Sequence, residues 1–262
     1  MVNILFIGDI VGKPGRMALA RVLPDLKQEH SISFSIGNAE NAAGGFGLTP
    51  DVADDLLGLG FDVLTSGNHI FDKREIIDYL DRKDRVLRPA NYPAATPGKG
   101  ACLTQLGNGV QVGVLNLMGR VFLDQIDCPF KKADEEVKKL REQTRIIFVD
   151  MHAEVTSEKV AMGRYLDGKV SAVVGSHTHV QTADDRILAR GTAYLTDAGM
   201  TGPADSVIGI RTETVISRFL TRLPRRMETA TGDGQVNGAV VSVDPETGHA
   251  LKITRIQIAP ES

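Results

Sequence analysis

The sequence predicts an α/β domain built on a parallel sheet. Short apolar runs of strand length recur along the chain, helical stretches fall between them, and one run after another ends in glycine or a polar residue. Strands alternating with helices mark βαβ units and a parallel sheet. Near-continuous apolar runs suit strands covered on both faces. The 262 residues suffice for one large domain, and no repeat, low-complexity tract or linker divides them. Residues 1–262 are therefore expected to form a single domain.

Val2–Ile7 is the first strand, a nearly unbroken apolar run closing on Gly8-Asp9. Gly12-Lys13-Pro14-Gly15 reads as a turn, because glycine and proline punctuate local structure. A helix runs from Arg16 to about Glu29, and Ile32–Ile36 is a second strand leading into Gly37-Asn38-Ala39-Glu40-Asn41. Gly44–Leu48 is loop. Thr49 is placed to cap a helix with Pro50 at its first position, running to about Leu59. Phe61–Thr65 is the third strand, ending in Ser66-Gly67-Asn68-His69, and Asp72–Leu80 is helical. Pro89, Pro93 and Pro97 make Leu87–Gly100 a loop. Gly107-Asn108-Gly109, between Cys102–Leu106 and Val110–Leu117, signals a hairpin. Ala133–Glu142 reads as a solvated helix. Arg145–Val149 is a strand that ends in Asp150-Met151-His152. Ser157–Tyr165 is helical, and Val170–Val174 is a strand ending in Gly175-Ser176-His177-Thr178-His179. Thr192–Leu195, a helix around Thr212–Leu220 and two closing strands, Val236–Val243 and Ala250–Ile258, complete the reading.

Composition excludes several classes. A hydrophobic fraction of 42% against 24% charged is that of a globular chain, not a disordered one. A net charge of -3 argues against a protein that lives on phosphate backbones, without excluding a small anionic substrate. The basic stretch Arg222–Arg226 reads as a solvated face, with an oligomer or RNA contact as the alternative. Two cysteines, Cys102 and Cys128, make neither a disulfide scaffold nor a thiolate metal site. Val2–Ile7 is too short for a signal sequence or a membrane span. These features lead to an expectation of a cytoplasmic protein with no membrane contact.

The chemistry gathers at strand ends. Five strands end in metal-type ligands: Asp9, Glu40 with Asn41, Asn68 with His69, His152, and His177 with His179. Only His30 and His249, of six histidines, lie elsewhere. Taken singly, Asp9 and the asparagines are ordinary turn residues and His152 an ordinary core histidine. The pair His177-x-His179 is more telling, since alternate residues on an extended backbone project to one side. In open α/β sheets, sites form outside the carboxyl ends of the strands. A set of carboxylate, amide and imidazole groups without thiolate suits iron, manganese or zinc. The ligands suffice for two ions bridged by one carboxylate. Competing motifs fail: Gly8 to Pro14 is one residue short of a P-loop and lacks its Ser/Thr, and no G-x-S-x-G elbow occurs.

This constellation resembles the calcineurin-like metallophosphoesterase superfamily. Asn68-His69 matches its Gly-Asn-His motif, Gly175-x-His177-x-His179 its Gly-x-His block, and His152 the isolated histidine between them. The first block departs, with Gly8-Asp9-Ile10-Val11 where Asp-x-His is usual. Glu40 stands where an Asp normally bridges, and Ile70 where a Glu commonly follows. Those departures resemble the YmdB-like (DR1281-like) bacterial phosphodiesterases. The stretches carrying this are Ile4–Arg16, Asn38–Gly45, Thr65–His69, Arg88–Pro93, Gly202–Gly209 and Arg218–Thr221. In that group Asn41 takes the place of the missing histidine.

The resemblance implies a four-layer αββα sandwich with its metal site at the carboxyl ends of the strands. It also implies a di-metal phosphodiesterase, iron-loaded with manganese or zinc as alternatives, that hydrolyses cyclic nucleotides and favours 2′,3′-cyclic ones. Asp9, Glu40, Asn41 and His179 are assigned to one metal and Glu40, Asn68, His152 and His177 to the other. A metal-bound hydroxide would attack phosphorus, and His69 would protonate the leaving oxygen as general acid. The plainer role for His69 is to orient Asn68 or a water. The alternatives are a phosphomonoesterase of the same superfamily, or a metal-dependent regulatory or RNA-associated protein whose hydrolysis is incidental. The expected partner is a small cyclic nucleotide or other phosphodiester, with a homo-oligomer allowed.

Overall fold

A computed structural model describes residues 1–260. In chain order its elements are β1 (Val2–Ile7), α1 (Gly12–Glu29), β2 (Phe34–Asn38), α2 (Pro50–Gly58), β3 (Val63–Thr65) and α3 (Ile76–Leu80). There follow β4 (Ala101–Gln105), β5 (Gln111–Met118), α4 (Pro129–Arg141), β6 (Ile146–His152), α5 (Thr156–Leu166) and β7 (Ala172–Ser176). The chain closes with β8 (Arg186–Ile187), β9 (Ala193–Leu195), β10 (Gly202–Pro203), α6 (Thr212–Thr221), β11 (Gly234–Val243) and β12 (Ala250–Ile258).

The strand period of two builds the layers. In β1, Val2, Ile4 and Phe6 face a core between two sheets, while Leu5 and Ile7 face a second core under α1 and α2. A third core, containing Val149 and Met151 of β6, lies under α4 and α5. The result is the four-layer αββα sandwich. One sheet runs β10-β11-β1-β2-β3 with β12 outside β11; the other runs β4-β5-β6-β7-β9-β8. Strands β1, β2 and β3 are parallel, as are β5, β6, β7 and β9. Phe6 and Phe148 meet across the middle, ring centroids 5.2 Å apart.

Several boundaries differ from the sequence reading. Helix α1 absorbs Gly12–Gly15, because Pro14 falls in the first turn, where its missing N–H has no intrahelical role. Helix α3 is shorter than expected. Residues 69–75 wind through turns instead, with the Asp72 N–H donating to the His69 carbonyl at 3.0 Å. Helix α4 is not solvated all round: Ala133, Val137 and Leu140 form a buried stripe on the second sheet. The two-residue strands β8 and β10 are too short to carry a periodicity. Strand β6 runs past Val149 to His152, which brings Asp150 and His152 onto one face.

The Thr49 side chain accepts the Val52 N–H at 3.4 Å and caps α2. Thr49→Ala should cost about 1 kcal/mol, read as a lower urea midpoint with an unchanged slope. No helix among the described residues is long and apolar enough to cross a membrane.

Candidate metal centre

The apolar inner faces of the strands turn polar at their carboxyl ends. After Phe34 and Ile36 comes Asn38; after Val63, Thr65; after Phe148, Asp150 and His152; after Val174, Ser176. These groups close the inter-sheet core with a buried network. Asp150 accepts from the Thr65 and Ser176 hydroxyls, each at 2.6 Å, and from Asn38 Nδ2 at 3.1 Å. Ser176 Oγ lies 2.9 Å from His152 Nδ1, which fixes the ring and turns Nε2 outward.

All eight residues singled out in the sequence gather above this network. His152 Nε2 lies 3.2 Å from Glu40 Oε1, 3.1 Å from Asn68 Oδ1 and 3.0 Å from His177 Nδ1. Glu40 Oε1 accepts from Asn41 Nδ2 at 3.1 Å, and Oε2 accepts the His69 N–H at 3.1 Å. Asp9 accepts the His177 N–H at 3.0 Å. His179 Nε2 lies 3.4 Å from Asn41 Nδ2 and 3.9 Å from Asp9 Oδ1. His69 lies at the rim, its Nδ1 2.8 Å from Asp72 Oδ2 and its ring edge-on to Phe46. His30 and His249 stand apart, at the end of α1 and just before β12.

Burial sets the electrostatics. It pushes the Asp9 carboxyl above the ordinary carboxylate range, more than His179 and His152 pull it down. Burial likewise opposes charge on Glu40, but the facing His152 outweighs it and holds this carboxyl down to about 2. His152 is the complement: burial disfavours its cation, yet Glu40, Asp9 and Asp150 raise it to about 9. Burial and the neighbouring His152 push His177 down to about 3, which keeps it neutral, the form that ligates metal. Burial lifts Asp150 to about 6.

The arrangement fits cations. Asp9 Oδ1 and Asn41 Oδ1 are buried with no hydrogen-bond partner among the described residues. A buried acceptor left unpaired is costly, and a cation beside it removes that cost. Glu40, His152 and His177 each offer a ligand atom, all within 4.8 Å of one another.

Backbone strain and close approach mark the same place. His177 and His179 have φ of 100° and 64°, in the left-handed region that non-glycine residues seldom occupy. Their loop is pinned by Asp197, which accepts from the Thr178 N–H at 3.1 Å and its hydroxyl at 2.7 Å. Lys159 Nζ in turn donates to Asp197 at 2.6 Å, both side chains being buried. At Gly67 any Cβ would sit 2.1 Å from the His152 ring and 2.5 Å from Glu40 Oε2, so only glycine lets this loop pass.

Sequence reasoning missed these supports. Glu154, whose Oε2 lies 2.9 Å from His177 Nε2, left no sequence signal, nor did the Lys159–Asp197 pair. Thr65, Asp150 and Ser176 did leave one, the inner-face period of two continuing into polar residues. Arg16 donates to the Ala42 carbonyl and steadies the loop that carries Glu40 and Asn41. A cleft of about 270 Å³ opens over the cluster, lined by Phe46, His69, Glu154, His177, His179 and Ile208 among others.

Two face-to-face sheets with this cluster at the ends of their parallel strands define a metallophosphoesterase-like fold. The fold is that of a Mycoplasma pneumoniae protein whose structure is described as a novel phosphatase, with TM-score 0.93 and 32% identity over 99% of this chain and 94% of that one. A hypothetical protein of Thermus thermophilus matches equally, with TM-score 0.93 and 38% identity over 99% and 100% of the two chains. Residues 5–256 match the family described as YmdB-like protein, and the chain belongs to that family. It is 51% identical over 256 residues, 98% of this chain and 97% of the relative, to the 2′,3′-cyclic-nucleotide 2′-phosphodiesterase of Bacillus subtilis.

Proposed function

We propose that this protein is a metal-dependent phosphodiesterase that opens 2′,3′-cyclic nucleotides at a di-metal centre. The observation that carries this reading is the pair of unpartnered buried oxygens, Asp9 Oδ1 and Asn41 Oδ1, in one cluster with Glu40, His152 and His177. The substrate class follows the full-length relative at 51% identity. Asp9, Glu40, Asn41 and His179 would hold one ion, and Glu40, Asn68, His152 and His177 the other, with Glu40 shared. Iron is favoured, with manganese or zinc as alternatives. Two such ions, when bound, lower the pKa of a shared water from 15.7 toward about 7 and neutralise phosphoryl oxygens.

The chain's own residues then do the rest. Ser176 and Asn38 fix the His152 ring from behind, and Glu154 does the same for His177. His69 gives a proton from Nε2 to the ribose oxygen that departs from phosphorus. Asp72, 2.8 Å from Nδ1, holds the ring in place for that transfer. The cleft lining contains neither arginine nor lysine among the described residues, which suits the single charge of a diester better than a monoester dianion. One domain spanning residues 1–262 carries the activity. Its two thiols, Cys102 and Cys128, are free, which suits the reducing cytoplasm.

Elemental analysis of the purified protein, joined to a panel of mono- and diesters, tests this. Two metal ions per chain are expected. Chelation should abolish diester hydrolysis, and the same metal should restore it. Less than one ion per chain after anaerobic reconstitution, with no diesterase activity, overturns the reading.

A further inference from the structure

Helix α6 buries none of its side chains. Phe219 and Leu220 are 73% and 80% exposed, far beyond what a monomer's interior-facing helix would leave bare. Val215, Arg218, Phe219, Arg222 and Met227 line a groove of about 500 Å³. That groove is continuous with the cleft over the candidate metal centre, because Ile208 and Ile210 line both. The Ile208 carbonyl also lies 2.8 Å from His179 Nδ1, so the groove wall and a candidate ligand are joined.

Charge tells what the groove accepts. The chain as a whole is mildly acidic, yet residues 211–226 hold five arginines and one acidic residue, Glu213. Arg211 is paired with Glu228 at 3.2 Å. Arg218, Arg222, Arg225 and Arg226 have no carboxylate partner among the described residues. A second copy docked symmetrically through α6 would set these unpaired cations against their own kind, which is unfavourable. Exposed aromatic and apolar side chains interleaved with arginine form instead the kind of surface on which single-stranded nucleic acid stacks its bases and lays its phosphates.

We propose that the substrate is the 2′,3′-cyclic phosphate at the 3′ end of an oligoribonucleotide, whose preceding nucleotides lie along α6. The inference rests on the diesterase reading above and names the substrate of the same cleft. The chemistry of the substrate agrees. A ribose 2′-hydroxyl attacks the adjacent phosphodiester and forms the P–O2′ bond. The next nucleotide's 5′-oxygen leaves and carries the proton. Cyclic phosphates of this kind therefore arise at the ends of cleaved RNA strands.

The test compares kcat/KM of the metal-loaded full chain on a 2′,3′-cyclic mononucleotide and on a tetraribonucleotide with a 2′,3′-cyclic end. The oligonucleotide should be preferred tenfold or more at low salt. If two phosphates are held, the preference should fall roughly sevenfold between about 50 and 200 mM salt. Arg218→Ala/Arg222→Ala and, separately, Phe219→Ala should move the ratio of the two kcat/KM values toward one. A wild-type ratio at or below one, with the mononucleotide hydrolysed, overturns this inference alone. So does a ratio that these variants leave intact while light scattering shows an oligomer falling to monomers, since a second copy would then cover α6. Failure to hydrolyse either compound overturns the diesterase reading, and this inference with it.

Discussion

His69→Ala should keep the wild-type metal content and lose about 10²–10⁴-fold in kcat on 2′,3′-cyclic nucleotides. The reasoning is geometric. His69 contributes its backbone N–H to Glu40, and that bond survives any side-chain change. Its ring stands at the cleft rim, tied by Nδ1 to Asp72 and braced by Phe46. Loss of the ring removes the proposed proton donor and leaves the candidate ligand cluster standing. The defect should therefore grow with the basicity of the leaving oxygen. A nitrophenyl ester, which leaves unaided, should suffer least, and an alkyl or ribose ester most. Full activity of the variant on an alkyl diester, with metal content intact, would exclude the acid role.

Lys159→Met should destabilise the protein by about 3–5 kcal/mol, because it strands the buried Asp197 carboxylate. For a chain of this size that is a fall in Tm on the order of 10 °C. Asp197 also holds the Thr178 N–H and hydroxyl and the Gly199 N–H. Lys159→Met should consequently loosen the strained His177–His179 loop and weaken metal retention. The double variant Lys159→Met/Asp197→Asn removes the uncompensated charge and leaves an acceptor for Thr178, so it should regain part of the lost stability. Urea denaturation of the three proteins measures this. A cost below about 1 kcal/mol for Lys159→Met would mean that the pair does not hold the loop.

Both predictions turn on residues whose visibility in the sequence differs. His69 was visible because it follows a strand and stands beside Asn68. The candidate ligands were visible for the same reason: unusual residue types repeat at the ends of apolar runs. Lys159 was not. It lies in a helix whose neighbours are unremarkable, and its partner is 38 residues away. Glu154 was hidden likewise, since a glutamate after a strand is ordinary until a histidine folds onto it. Helix α4 was misread as solvated because its apolar stripe is only three residues wide. The stretch Arg222–Arg226 reads in the sequence as a solvated face, and only the groove that Arg222 lines with α6, beside the cleft, makes it part of a candidate surface.

The sequence by itself determined the α/β class, the order of the main elements and the end of the sheets at which polar groups collect. These follow from periodicity and residue type, which act over a few positions. Tertiary structure alone decided three things. It determined which oxygens remain unpartnered, which charges face one another in a dry interior, and that α6 lines a groove whose wall, Ile208 and Ile210, it shares with the cleft. Each depends on contacts between distant parts of the chain, and in a buried site a displacement of an ångström changes a paired group into an orphan.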